Sequence, residues 1–385
     1  MRAFVFTEMQ YPFVDEDAHE SVRVTLPNQI YDPQVGHGLY KRYFDLYERA
    51  DRCGLDIMLN EHHSTATCVE PAVPLTMSIL ARTTKTARIL ALGNPVANRR
   101  DPVRIAEEMA MVDVISGGRA EVGFVRGVAQ EISPANSNPV LMKERMWEAV
   151  DLIVKAWTTH DGPFSWEGEF FHQRQVNIWP RPLQQPHPPI WVPTQTASTA
   201  RETADRGYTV ATILNGAEGC RRIFDAYRES FVTMHGAEPA SDKLAYLGLV
   251  FVASRRREAL EGARAVQWYI QHNKVAPQFV NVPGYFDAAT RVKMLRAQYE
   301  TGALPSPIAH LAWASIEELV DGGFCFAGEP DEVVEQLLSF HARVGGFGNW
   351  LALVQAGTME TDLVAPSMEL MAAEVLPALN RELAS

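Results

Sequence analysis

The sequence predicts an α/β fold, a (β/α)8 TIM barrel with insertions, and three observations support this class. Short apolar segments of strand length alternate with amphipathic segments of helix length along most of the 385 residues. The connections between them are mostly short, as they are in barrels. The alternation gives eight strand–helix units and contains no Gly-x-Gly-x-x-Gly fingerprint, so a doubly wound open sheet is the less favoured alternative.

Eight apolar runs define the expected barrel strands. Each run is bounded by polar or turn residues, which is typical of a parallel strand that is buried on both faces. The second run ends in an acid and two histidines, Glu61-His62-His63. In order, the runs cover residues 2–7, 55–61, 88–92, 120–125, 190–193, 208–214, 244–253 and 350–354.

Helices are expected between these runs because apolar residues recur there at helical spacing. Asp101-Pro102 opens one helix with an aspartate N-cap and a first-turn proline, and Gly117-Gly118 ends it. Gly54 occupies the C-cap position of the first helix. The expected helices cover about 39–53, 71–83, 102–116, 142–157, 199–206, 219–235, 330–344 and 367–379.

The chain is expected to form one barrel domain over residues 1–385, with two insertions. Residues 162–189 are rich in aromatic residues and proline, and they are interpreted as a hairpin covering one end of the core. The larger insertion, about 268–325, follows the seventh strand, and its periodicity is lost up to Trp313. A long excursion at this position is typical of a lid over an active face. Its candidate shielding residues are Trp268, Tyr269, Phe279, Tyr285, Phe286 and Trp313.

Composition and charge exclude several classes of function. The net charge of −12 argues against a nucleic-acid partner, which requires a basic surface. The four scattered cysteines show no Cys-x-x-Cys pair, which predicts a reducing compartment and no metal site. The N-terminus lacks the pattern of a signal peptide, and no apolar stretch reaches membrane-spanning length. The sequence therefore predicts a cytoplasmic protein without a membrane, metal or nucleic-acid partner.

Polar clusters follow several of the predicted strands, and the carboxyl ends of barrel strands all face one end of the molecule. Glu8, Gln10 and Tyr11 follow the first strand. The histidines after the second strand exchange protons near neutral pH, although capping of the strand end would also explain them. Arg126, beside a glycine after the fourth strand, offers a fixed positive charge for a phosphate.

Two further clusters admit both a functional and a structural interpretation. The hydroxyls and amide of residues 194–199 precede a helix N-terminus, which suits an anion. Thr199 and Glu202 also fit a capping box, and both interpretations hold together. Gly93-Asn94-Pro95-Val96 after the third strand is either an ordinary turn or an unusual backbone beside a ligand.

In their order and spacing, these motifs resemble those of the bacterial luciferase-like flavin monooxygenase family. The resemblance runs from the amino-terminal strand to the C-terminal helix. The segments that carry it are residues 53–56, 61–63, 101–108, 113–119, 123–127, 197–199 and 328–333.

The resemblance implies a barrel that binds reduced FMN at its C-terminal end, with the FMN supplied by a separate flavin reductase. His62 matches the catalytic histidine of the family, with Glu61 or His63 orienting it. Pro95-Val96 corresponds to a bulge that carries a non-prolyl cis peptide. The cofactor-binding residues implied are Asn94, Pro95, Val96, Val125, Arg126, Gln195, Thr196, Ser198 and Thr199.

Two departures from the family pattern shape the functional expectation. Val125 stands where the light-emitting enzyme has a reactive cysteine, and Gln195 replaces an acid. The implied function is oxygenation of a small, hydrophobic organic substrate with dioxygen, by the oxygenase half of a two-component system. The family commonly pairs through the helices that flank the early strands, which implies a homodimer.

Two alternatives remain open at the level of the sequence. A deazaflavin-dependent dehydrogenase would use the same barrel to move a hydride without oxygen, although the paired histidines favour the oxygenase. A non-catalytic flavin-binding partner subunit is the second alternative, and the presence of His62, Arg126 and a full-length insertion argues against it.

Overall fold

Parallel strands form the centre of the molecule, in a computed structural model that describes residues 1–132, 134–280, 286–301 and 309–384. The pairing of β5 with β6 is antiparallel, and the other ladders between the named strands are parallel. The strands are β1 (Arg2–Thr7), β2 (Asp56–Leu59), β3 (Ile89–Asn94), β4 (Ala120–Phe124), β5 (Phe164–Glu167), β6 (His172–Val176), β7 (Ile190–Pro193), β8 (Thr209–Ile213), β9 (Leu244–Val252), β10 (Cys325–Gly328) and β11 (Asn349–Gln355).

Eight of these strands close into a barrel. The strands β1, β2, β3, β4, β7 and β8 pair in this order, β8 pairs with β9, β9 with β11, and β11 with β1. The ring confirms the predicted (β/α)8 barrel and excludes an open sheet, because the pairing of β8 with β9 joins its two halves. Side chains from every barrel strand are buried, so the barrel interior belongs to the core.

The strand β10 is an element that the sequence pattern did not reveal. It pairs with residues 249–252 of β9, beyond the residues 244–247 that pair with β8. The length of β9, nine residues, provides room for both neighbours. The run of β10 is only four residues long and lies at the end of the predicted excursion, so it could not be distinguished from a loop.

Helices surround the barrel, and none of those described is long and apolar enough to cross a membrane. A π-helical turn, Met371–Val375, joins the last two. The helices are α1 (Pro33–Cys53), α2 (Val73–Thr83), α3 (Pro102–Ser116), α4 (Ala129–Ile132), α5 (Met142–Thr158), α6 (Ala197–Asp205), α7 (Gly216–His235), α8 (Arg256–Gln271), α9 (Pro277–Val280), α10 (Ala288–Thr301), α11 (Ile316–Gly322), α12 (Pro330–Arg343), α13 (Thr361–Leu370) and α14 (Leu376–Ala384).

The capping residues explain where several helices begin and end. Asp101 caps α3 as predicted, through a hydrogen bond of 3.0 Å from the backbone N–H of Val103. Gly54 and Gly117 end α1 and α3 in the left-handed conformation that glycine adopts without strain. Helix α1 begins earlier than its apolar spacing predicts, because Asp32 caps it at Pro33.

The predicted capping box at Thr199 and Glu202 is wrong. Helix α6 begins at Ala197 with Thr196 as its N-cap, so Thr199 already lies inside the first turn. The Glu202 carboxylate instead accepts a hydrogen bond of 2.8 Å from Trp147 Nε1 on α5. Glu202 therefore stabilises the packing of α5 against α6 instead of capping a helix as the local pattern had predicted.

The stretch that the sequence predicts as irregular, residues 268–313, is largely helical where it is described. Helix α8 continues to Gln271, and α10 adds another 14 residues. Trp268 stacks on His272 with ring centroids 4.3 Å apart, which holds the end of α8. Tyr285, one of the expected shielding residues, lies outside the described residues. The hairpin of β5 and β6 lies within residues 162–189.

Candidate active site

A cavity of about 310 Å³ opens at the carboxyl ends of the barrel strands. Polar side chains that follow β1, β2 and β4 line one part of it. Apolar side chains of the barrel strands form its other wall. They are chiefly Phe6, Met58, Leu92, Ile213 and Leu247. The cavity therefore combines titratable groups with a surface that excludes water.

A second cavity, of about 420 Å³, adjoins the first. The two cavities share five lining residues, Val125, Arg126, Val128, Pro193 and Ile213. The second continues to the hydroxyl groups between β7 and α6. Together they form one cleft, and His62 and Arg126 both open onto it.

His62 is held between two carboxylates in this cleft. Its Nδ1 donates to Glu131 Oε1 at 2.7 Å, and its Nε2 lies 3.5 Å from Glu8 Oε1. Glu8 is itself fixed, because its Oε2 accepts a hydrogen bond of 2.7 Å from the Asn60 side chain. Both carboxylates are nearly inaccessible, so the imidazole has a defined orientation.

The two carboxylates shift the pKa of His62 and are shifted in turn. Burial alone would lower the pKa of His62, but the hydrogen bond to Glu131 and the charges of Glu131 and Glu8 raise it above its ordinary value. Burial raises the pKa of Glu8 more than His62 lowers it. Burial also acts to raise the pKa of Glu131, yet its bonds to His62 and to backbone N–H groups lower it overall. Protonated His62 facing an ionised Glu131 is therefore the favoured state of the pair.

Glu61 and His63 adjoin His62 in the chain, but other contacts hold them. Glu61 Oε1 accepts a hydrogen bond of 3.0 Å from His63 Nε2 and forms an ion pair with Arg99. Glu61 Oε2 accepts from the backbone N–H of Val73 at 3.0 Å, at the start of α2. In these contacts Glu61 stabilises the β2–α2 connection, and the orienting contact to His62 comes from Glu131.

Glu131 is the site residue that the sequence reasoning missed. It lies on the short helix α4, 69 residues along the chain from His62. The available signal was an acid five positions after Arg126, beyond a barrel strand, but an isolated glutamate in a connection has no distinguishing pattern. Its role follows only from the closed barrel, which brings the ends of β2 and β4 to the same face.

The end of β3 places the cis peptide elsewhere than predicted, and it places Asn94, Pro95 and Val96 outside the lining of the cleft. The non-prolyl cis peptide lies between Leu92 and Gly93, and not at Pro95-Val96. Leu92 and Gly93 line the cleft, whereas Asn94, Pro95 and Val96 are buried away from its lining. The strand runs two residues further than predicted, so the exposed backbone of this connection comes earlier in the sequence.

Arg126 supplies positive charge in the middle of the cleft. It lines both cavities and forms no hydrogen bond or ion pair with any residue that the structure describes. Lys143 on α5 lines the second cavity and forms an ion pair with Glu202. The sequence analysis did not identify Lys143 as a residue of the cleft. Val125 lines both cavities beside Arg126.

Hydroxyl groups line the far end of the cleft. The Thr196 hydroxyl donates to Thr199 Oγ1 at 3.1 Å, and the Thr196 backbone N–H donates to Thr194 Oγ1 at 3.0 Å. Gln195 lines the same end and donates to the Ile213 carbonyl at 3.1 Å. Ser198 is exposed on the first turn of α6, outside the residues that line the cavity.

A closed barrel with a histidine–carboxylate pair at the carboxyl ends of its strands is typical of a (β/α)8 enzyme. Among the described residues, no group of three or more His, Cys, Asp or Glu side chains is arranged to hold a metal ion. The sequence model of the luciferase-like monooxygenases matches residues 23–345, most of the chain. The chain belongs to the luciferase-like monooxygenase family and is an oxidoreductase.

Two curated relatives are similar to this chain in sequence. An uncharacterised protein of Sinorhizobium fredii, y4wF, is 31% identical over 66% of this chain and 77% of its own length. The oxygenase component of the flavin-dependent trigonelline monooxygenase of Acinetobacter baylyi is 32% identical, over 47% of this chain and 51% of its own length.

Solved structures share the fold over nearly the whole chain. The monooxygenase RslO1 of Streptomyces bottropensis superposes with a TM-score of 0.73 at 21% identity, covering 98% of this chain and 99% of its own. The oxygenating constituent of 3,6-diketocamphane monooxygenase from Pseudomonas putida, in complex with FMN, gives 0.70 at 19% identity and covers 98% of both chains. An F420-dependent secondary alcohol dehydrogenase gives 0.64 at 16% identity, over 91% of this chain and 96% of its own.

Proposed function

We propose that this chain is the oxygenase component of a two-component monooxygenase, which uses reduced FMN and dioxygen to oxygenate a small, largely hydrophobic organic substrate. One observation carries the proposal: His62, oriented by Glu131, opens onto the same cleft as Arg126, a cation without a partner among the described residues. The similarity to an oxygenase component of Acinetobacter baylyi supports it.

The residues of the cleft fit a flavin mononucleotide. The two cavities, of about 310 and 420 Å³, each have the size of a small-molecule site. Arg126 and the hydroxyls of Thr196 and Thr199 would hold the phosphate, and the apolar wall with Leu92 and Gly93 would face the ring system. Bound reduced FMN would supply the electrons that activate dioxygen.

The side chains of the cleft have distinct tasks under this proposal. Glu131 engages His62 Nδ1, so the proton on Nε2, which lies 3.5 Å from Glu8 Oε1, is the one that His62 would donate to the reacting atoms as a general acid. Phe6, Met58 and Leu247 keep water from the reacting atoms. Tyr269 on α8 lines the cleft from the side of residues 268–325, which would act as the lid.

We also propose that two copies of the chain form a homodimer, in addition to a transient flavin reductase partner. The adjacent helices α2 and α3 carry five exposed large apolar side chains, which form the patch where we place the interface, since grouped exposed apolar residues are typical of interaction surfaces. The patch consists of Leu75, Ile79, Met111, Val114 and Ile115, and Leu75 is 65% exposed.

The test combines flavin titration with product analysis. His62→Ala should bind reduced FMN but lose about 100-fold or more in oxygenation, the range typical of a general acid, and release hydrogen peroxide instead. Arg126→Ala should weaken FMN binding in a fluorescence titration. The control is His172→Ala, since His172 lies on β6 outside the cleft lining.

Several outcomes would contradict the proposal. Unchanged product formation in His62→Ala would remove the catalytic role of the imidazole. Hydride transfer with reduced F420, without oxygen consumption with reduced FMN, would indicate a deazaflavin-dependent dehydrogenase. FMN binding without any oxygenation by the purified chain, across a panel of apolar substrates, would favour a non-catalytic subunit.

A further inference from the structure

A separate pocket of about 300 Å³ lies behind the segment that carries Glu131. Gly127 lines the cleft and packs against Asn98, since a Cβ placed on Gly127 would lie 2.4 Å from Asn98 Nδ2 and 3.6 Å from Glu131 Oε2. Asn98 lines this pocket and Glu131 lines the cleft. We name it the arginine pocket; the lining residues used below are Asn98, Arg100, Asn138, Leu141, Arg145 and Phe170.

The arginine pocket has two cations and no carboxylate in its lining. Arg145 donates to the carbonyl oxygens of Ala97 and Arg99 at 2.8 and 2.9 Å, so its partners in the pocket wall are neutral. Burial lowers the pKa of Arg145, and the charge of Glu148 outside the lining only partly opposes this. Arg100 forms no ion pair or hydrogen bond within the part of the chain that the structure describes.

Uncharged donors and acceptors complete the polar side of the arginine pocket. Both polar atoms of the Asn98 side chain are buried, and neither has a partner among the described residues. An unsatisfied buried amide costs free energy, about 1–3 kcal/mol for such groups in general. Asn98 lines the arginine pocket, and a ligand oxygen there that accepted a hydrogen bond from the Asn98 amide would remove part of this cost.

We propose that the arginine pocket binds an organic oxyanion, a molecule with a carboxylate or phosphate group and a small apolar body. The planar guanidinium presents paired N–H donors that match either oxyanion. Phe170 and Leu141 provide the apolar surface for the body of the ligand, and the volume of about 300 Å³ lies at the lower end of the range for small-molecule pockets. The site is distinct from the cleft and does not depend on the function proposed for the cleft.

Benzoate and phenyl phosphate are the probes, and benzamide is the neutral counterpart of benzoate. Binding to the full chain, with FMN present to occupy the cleft, is measured by isothermal titration at constant ionic strength. We expect at least one oxyanion to bind and benzamide not to bind. The tighter of the two oxyanions identifies the headgroup that the pocket prefers.

Three variants locate the binding. Arg100→Gln should weaken oxyanion binding at least about tenfold, because a charge-assisted hydrogen bond is lost. Arg181→Gln removes another exposed arginine, which lies outside this pocket, and should leave binding unchanged. Arg126→Gln reports on the cleft and should also leave binding unchanged. Loss of binding in Arg126→Gln, or unchanged binding in Arg100→Gln, would overturn the inference without affecting the function proposed for the cleft.

Discussion

At the scale of single residues, the contact between His62 and Glu131 determines the chemistry that the cleft offers. The carboxylate stabilises the charged imidazole against the cost of burial, and Glu8 adds to this from the other side. A histidine in these surroundings keeps its proton to higher pH than a free imidazole. The charge state of His62 therefore depends on residues from three different strand ends.

Replacing Glu131 by glutamine should lower the pKa of His62, because the neutral amide no longer favours the imidazolium. The pH–rate profile should follow: the limb that depends on protonated His62 should move to lower pH. The measurement is the pH dependence of kcat/KM together with titration of the His62 ring by NMR. Glu335→Gln on α12, which is remote from the cleft lining, is the control, and an unmoved limb would show that Glu131 has only a structural role.

The same pair should make stability depend on pH. Because the folded pKa of His62 is raised, its contribution is full below its ordinary value of 6.5 and is lost as the pH rises through the folded pKa. Because the folded pKa of Glu131 is lowered, its contribution is full above 4.5 and is lost as the pH falls through the folded pKa. Between these values both contributions are present.

We therefore expect Glu131→Gln to reduce the free energy of unfolding most between these two values, by about 3 kcal/mol. The difference from the wild type should shrink as the pH rises above the folded pKa of His62. Urea unfolding at pH 5.5 and 9, with each variant compared to the wild type at the same pH, measures it. A difference that does not change with pH would contradict the assigned protonation states.

The sequence predicted some of these residues because their position along the chain carried the information. His62 and Arg126 directly follow apolar runs, and a barrel brings the ends of such runs together. Glu131 and Glu8 acquire their roles from contacts across the barrel mouth, which the spacing of residues does not encode. The predicted strand ended two residues early, so the sequence placed Asn94 in a connection beside the ligand, whereas Asn94 lies at the buried end of β3.

At the scale of elements, β3 and β4 approach each other more closely than side chains would allow. A Cβ on Gly93 would lie 2.7 Å from the Gly123 carbonyl oxygen, and a Cβ on Gly123 would lie 2.5 Å from the Ala91 carbonyl oxygen. The register of the two strands shifts between Ala91 and Asn94. The two glycines thus allow β3 to bend beside the cleft.

Gly93→Ala should destabilise the protein by about 1–3 kcal/mol, because the added methyl group meets backbone that cannot move aside as a side chain can. The free energy of unfolding in urea measures the effect. Gly38→Ala on α1 is the matched control: nothing lies within 4 Å of its Cβ position, so it should be neutral or should stabilise by about 0.5–1 kcal/mol. Equal effects of the two substitutions would contradict the packing argument.

The exposed apolar patch on α2 and α3 leads to a prediction about assembly. Leu75→Glu combined with Ile115→Glu should convert a dimer to a monomer, because the charges would be buried at the interface. Size-exclusion chromatography with light scattering measures the mass. Leu363→Glu, an equally apolar exposed position on α13, should leave the mass unchanged. A wild-type chain that is monomeric at micromolar concentration would contradict the proposed homodimer.

At the scale of the whole molecule, the barrel converts a linear order of elements into a shared site. Contacts of the cleft come from β1, β2, β3, β4, β7, β8 and β9 or the connections after them. Alternation along the sequence was sufficient to predict this arrangement, because eight strand–helix units close in only a few ways. The extra strand β10 and the helices between α8 and α11 were not predictable, because their sequences are short or irregular and their contacts are tertiary.

If the chain is the oxygenase of a two-component system, reduced FMN should carry the electrons from the reductase to the cleft. If reduced FMN diffuses to the open end of the barrel, chemically reduced FMN should support oxygenation without any reductase protein. A reductase with NADH on the other side of a dialysis membrane should do so as well, at a lower rate because reduced FMN is oxidised in transit. The measurement is product formed per reduced FMN supplied, with Arg126→Ala as the variant that should need more flavin for the same yield. Turnover that occurs only when the reductase is in contact with this chain would show that electrons pass within a complex, and it would contradict free diffusion of the cofactor.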